Sequence, residues 1–204
     1  MAIVGATLAN GAATSAVDAP SFVTGALSPT NGNVVIAIIS SRTASGTAVE
    51  PTITGVGLSW VVPTNGTVTF TTNRITLLVG TGTVSAGAAT IDFGVQTQTQ
   101  CIYSFTEFSG MNTASPIVQA ANGTGTDTTG LATLAAFASA ANGTFGGHLH
   151  ATAEGTAVGS GFTELDDVTQ AENGRGLQTE WKATNDTTVD ATWVTSSLFG
   201  SIGA

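Results

Sequence analysis

Residues 57–80, GLSWVVPTNGTVTFTTNRITLLVG, limit the possible folds more than any other stretch of the chain. Val68 and Phe70 alternate with Thr67, Thr69 and Thr71. Ile75, Leu77 and Val79 alternate with Arg74, Thr76 and Leu78. A period of two sends successive side chains to opposite faces of a strand, so the stretch reads as three short strands and two turns. Pro63-Thr64-Asn65-Gly66 marks the first turn, because Asn-Gly accepts the positive φ that tight hairpin turns require.

The same grammar runs through the chain. Residues 33–40, NVVIAIIS, carry Val34, Ile36 and Ile38 on one face and Val35, Ala37 and Ile39 on the other. A strand apolar on both faces is covered on both sides. One cover is its own sandwich, and the other is a loop, a second repeat or another subunit. Cys101 to Phe108 is a further strand. Leu177, Thr179 and Trp181 alternate with Gln178, Glu180 and Lys182, and Val189, Ala191 and Trp193 with Asp190 and Thr192. Residues 131–141, LATLAAFASAA, have some helical spacing but sit among strands, and we read them as strand. About a dozen short strands with turns every 8–12 residues predict an all-β chain, an antiparallel β-sandwich of jelly-roll type.

The second half replays the first. Asn31-Gly32 before VVIAIIS matches Asn142-Gly143 before FGGHLHA. Ile75, Leu77 and Val79 match Leu177, Thr179 and Trp181, and SFTEF matches LFGSI. Residues 1–20, small and polar, read as an N-terminal arm or a loosely held edge segment, disordered or lying on a neighbour. Residues 21–204 then form one sandwich domain, with half-repeats at 21–110 and 131–204 joined by a Gly/Thr/Asn-rich linker at 111–130.

Composition excludes whole classes of function. The net charge is −9, with only four Lys and Arg residues in the 204. Nucleic acid and anionic membrane surfaces both need clustered cations, and Arg42, Arg74, Arg175 and Lys182 are scattered. Charged residues make up 8%, against about 25% in ordinary domains, so Thr, Ser, Asn, Gln and Gly must cover the surface. No apolar run approaches the roughly 18 residues of a membrane span, and the N-terminus has no basic region of the signal-peptide kind. Cys101 is the single cysteine, so no intrachain disulfide forms, and its apolar surroundings make it a small core residue.

Two clusters carry possible chemistry. His148 and His150, two apart on a strand, point the same way and are the candidate metal ligands. A third ligand is needed, from Glu154, near in sequence only, or from further copies around a trimer axis; the repeat register sets the two histidines where Ala37 and Ile39 sit, opposite Phe145 and Leu149. That reading makes them exposed or interfacial. Glu164, Asp166, Asp167 and Glu172 form the densest acidic group; with no DxDxDG loop, a solvated turn accounts for them. Four matches to the glycosylation sequon, beginning at Asn65, Asn122, Asn142 and Asn185, read as turns. Trp60, Trp181 and Trp193 fit core positions, which leaves few aromatics for a sugar site. No GxSxG, HExxH or phosphate-binding loop is present. We assign no catalytic residue and no cofactor.

The pattern VVIAIIS … GLSW … NRITLLVG … IDF … FTEFSGM, followed by SGFTEL … GLQTEWKA … NDTTVDATW, resembles β-sandwich proteins of bacteriophage and prophage genomes, over roughly residues 30–204. Those of this size and acidity look like head decoration (cement) proteins or fibre modules. The resemblance implies a virion structural protein, a homotrimer on the capsid surface, whose partners are the major capsid protein or other virion proteins. The competing expectation is a carbohydrate-binding or adhesin module, which needs an exposed tryptophan.

Overall fold

The computed structural model describes residues 2–13 and 18–204, and almost all of its regular structure is strand. Three antiparallel sheets are present. The central one has six strands: β1 (Val4–Ala12), β3 (Val34–Arg42), β5 (Leu58–Val61), β6 (Thr67–Phe70), β7 (Asn73–Gly82) and β9 (Gln100–Ser109). Their order is β1-β9-β3-β7-β5, with β6 also on β7. A three-stranded sheet, order β2-β8-β4, holds β2 (Ser21–Leu27), β4 (Thr52–Gly55) and β8 (Gly87–Asp92). A five-stranded sheet holds β10 (Ala121–Thr133), β11 (Thr144–His150), β12 (Thr163–Gln170), β13 (Arg175–Lys182) and β14 (Thr188–Gly203), in the order β10-β14-β11-β13-β12.

Two apolar cores separate the three sheets. Val35, Ala37 and Ile39 of β3 pack with Leu27, Ile53, Ile91 and Phe105 between the three- and six-stranded sheets. The order β1-β9-β3-β7 opposite β2-β8-β4 is that of a jelly roll. Val34, Ile36 and Ile38, on the other face of β3, pack with Leu77, Phe108, Phe145, Leu149, Leu177 and Ile202 between the six- and five-stranded sheets. Both covers of the doubly apolar strand therefore come from this chain, and its second face is closed by the five-stranded sheet. β10 and β14 continue past bulged pairing near Asp127 and fold over the far side of that sheet, where Ala132, Leu134, Phe162 and Val189 make a third, smaller core. The molecule is thus four β layers thick.

The five- and six-stranded sheets share one order. In each, a central strand (β3 or β11) lies between the same kinds of neighbour: β9 and β7 in one, β14 and β13 in the other. β1 and β10 take matching edges. β1 lies against β12, and β6 lies against β10 and β14, so the two sheets meet in opposite orientation.

Four expectations are corrected. The arm at residues 1–20 is a strand over much of its length: β1 pairs with β9 from Val4↔Ser109 to Ala12↔Ile102, and Ala19 bridges Gln98. Its residues 14–17 lie outside the described residues. The linker at 111–130 is linker only in its first part, because Ala121 onward belongs to β10. Of residues 131–141, only Leu131–Thr133 is strand. The Pro63–Gly66 turn, with Asn65 at φ 64°, makes no hairpin, since β5 and β6 follow one another along the same edge of β7.

Small residues misled the reading at these edges for a physical reason. Gly5 pairs directly with Phe108, Gly11 with Tyr103, Gly80 with Trp60, Gly125 with Phe199 and Gly176 with His150. In each pair the ring lies where a Cβ of the glycine would be, so any side chain there collides with it. Rings laid across cross-strand glycines supply the packing that the glycine cannot.

Candidate functional site

The polar side chains of the second half converge on the far face of the five-stranded sheet, beneath the fourth layer. Cross-strand register builds the row. His148 of β11 stands between Ser201 of β14 and Gln178 of β13, and Asp167 of β12 follows Gln178. Glu180 lies two residues along β13, opposite Glu164. The matching face of β3 in the six-stranded sheet is apolar.

His148 Nδ1 lies 2.9 Å from Ser201 Oγ, and His148 Nε2 lies 3.4 Å from Glu180 Oε1. The Gly159 N–H donates to Glu180 Oε2 at 2.8 Å. Hydroxyl, imidazole and carboxylate in series have the connectivity of a nucleophile, its base and an orienting acid. Access decides against that chemistry. Ser201, His148 and Glu180 are each 0% exposed, and Gly130 and Trp193 close over Ser201. A nucleophile must meet its substrate, and this one meets only the protein. The group is a buried polar network. Among the described residues, His148 Nε2, Glu180 Oε1 and both amide atoms of Gln178 have no hydrogen-bond partner.

His150 is equally buried, which corrects the expectation that the two histidines are exposed or interfacial. Both rings lie on the face opposite Phe145 and Leu149, as alternation sets them, and the fourth layer covers that face. His150 Nδ1 meets Thr152 Oγ1 at 2.7 Å and Nε2 meets Thr156 Oγ1 at 2.9 Å. Its ring stacks on Trp193 at 4.6 Å and 14°. Burial lowers its pKa from 6.5 to about 4; Glu154 opposes this, while His148 and Arg175 add to it. Both ring nitrogens are engaged by hydroxyls. Among the described residues no three His, Cys, Asp or Glu side chains are placed to hold a metal ion.

The acidic group is not a turn. Glu164, Asp166 and Asp167 belong to β12, and a register shift between Glu164 and Asp166 sends them to different faces. Asp166 points into the space between the large sheets, where it accepts from Asn10 Nδ2 and Ser104 Oγ, each at 2.5 Å. Ser104 Oγ also lies 3.2 Å from Thr179 Oγ1, so Asp166 ties β1 and β9 to the second half. Asp167 accepts from the Thr156 N–H at 2.9 Å, but burial still raises its pKa. Glu164 is also raised, by burial first and then by Asp167 and Asp166. Glu172 sits in a single 3-10 turn, well along the chain from them.

Sequence reasoning missed Glu180, Ser201 and Gln178. Their signal was present in the alternation of LQTEWK, which assigns Gln178 and Glu180 to one face; what was lacking was any sign that this face is covered. Cys101 is fully buried, and burial pushes its thiol pKa up. Trp193 is 5% exposed and donates to the Asp127 carbonyl, while Trp60 and Trp181 are half-buried against the cores. Trp193 is thereby closed to a sugar. No family model, no curated protein and no solved structure matches this chain.

Proposed function

We propose that this chain is a structural subunit of a virion, of the capsid cement or decoration type. It binds the major capsid protein or another virion protein at the capsid surface and associates with itself as a homotrimer. The observation that carries this reading is the sealing of its reactive groups. Ser201, His148 and Glu180 are enclosed, while the outer surface is left to Thr, Asn and Gly. Such a surface recognises another protein by shape and backbone contact, with few charges opposing association. Jelly-roll sandwiches are a common architecture of capsid proteins, although a fold of this kind hosts other functions too.

The contacts cannot come from β3, whose two faces are both covered within the chain. They fall to the outer surfaces, where Val23, Val61, Val95, Val118 and Val194 are exposed. Light scattering on the purified protein at micromolar concentration tests the reading. The expected particle holds three copies of the 20.2 kDa chain, and a monomer at that concentration counts against it.

A further inference from the structure

A cavity of about 320 Å³ opens at one end of the space between the six- and five-stranded sheets. Its deep wall is Ile36, Phe108 and Phe145, all buried, with Trp181 beside them. Phe108 meets Phe145 edge-to-face at 5.8 Å and Trp181 at 6.0 Å, so ring faces of two orientations line one space. Asn112 and Ser115 at the rim are exposed, and Asn142 is half-buried. Pockets of this size with apolar walls and a few polar groups are the usual form of a small-molecule site.

We propose that this cavity binds a small uncharged ring compound with one hydrogen-bonding group, its ring against Phe108, Phe145 and Trp181 and its polar end at Asn112 and Asn142. The inference is independent of the virion reading. Charge sets the ligand class. Among the described residues, the single charged side chain lining the cavity is that of Lys182, whose ammonium is held by Asp186 at 2.7 Å and lies 5.4 Å from the Phe162 ring centroid. Among the described residues no free side-chain cation there awaits an acid, and the net charge of −9 disfavours anions generally. The same wall rejects a sugar, whose ring hydroxyls would lie unpaired against Ile36 and Phe145.

N-phenyl-1-naphthylamine, an uncharged dye that brightens in apolar sites, is the probe. Titrated into the full chain, it should saturate at one site and quench tryptophan fluorescence. Ala141→Trp, at the rim, should weaken binding roughly tenfold or more with an unchanged far-ultraviolet spectrum. Trp181→Phe should bind the dye but lose most of the quenching, a readout that serves if Ala141→Trp does not fold. The proposal is overturned if binding does not saturate or survives Ala141→Trp intact. It is likewise overturned if quenching persists in Trp181→Phe, if the anionic analogue 1-anilinonaphthalene-8-sulfonate binds as tightly, or if glucose displaces the dye.

Discussion

His150 shows what a single covered side chain does to the whole fold. Above pH 6.5 its imidazole is neutral in the folded and unfolded chains alike, and its burial has no electrostatic cost. Between pH 6.5 and about 4 the unfolded chain takes up a proton that the folded one refuses, so stability falls as pH falls. That gap of pKa corresponds to about 3 kcal/mol in total. The raised pKa values of Glu164 and Asp167 act in the opposite sense, from their ordinary 4.5 and 3.8 upward. The lowered pKa of Asp186 matters only below its ordinary 3.8. Comparison with a variant isolates the histidine. His150→Gln should flatten the loss of urea midpoint between pH 7 and pH 4.5, and parallel curves for the two proteins would refute the account. The residue type and its strand face were legible in HLH. Its burial was not, because the cover comes from β10 and β14, far away in sequence.

At the level of elements, the long β-branched strands announced themselves, and β3, β7 and β9 stand where alternation puts them. β1 and much of β10 did not. An edge strand of Ala, Gly, Thr and Asn has the composition of a loose segment, and only the rings of Phe108, Tyr103 and Phe199 across its glycines reveal it as strand. The difference is measurable. Removing residues 1–12 should cost about 3 kcal/mol, from lost packing of Ile3 and Leu8 and lost pairing with β9. It also bares the β9 edge, so the truncated protein should aggregate on heating. A truncation that melts like the full chain and stays soluble would restore these residues to the status of an arm. β12 differs again: TELDD has the composition of a solvated turn, yet a register shift turns Asp166 inward to Asn10 and Ser104.

For the molecule as a whole, four stacked layers settle which surfaces are free. The apolar second face of β3, which by sequence could have been an oligomer interface, is spent between the two large sheets. The proposed trimer would therefore be built on the outer layers. The repeated strand order was legible as an echo of motifs; the opposed stacking of the two sheets was not, since no local pattern records which face of one sheet meets which face of another. The glycine–ring pairs carry a spectroscopic consequence. Gly5, Gly11, Gly80, Gly125 and Gly176, among the 26 glycines, each hold their α protons against an aromatic ring. Ring currents should move those five pairs of resonances out of the crowded glycine region of a proton–carbon spectrum. Each displaced signal would then report, separately and without any label on the ring, whether its own rung of the ladder is closed.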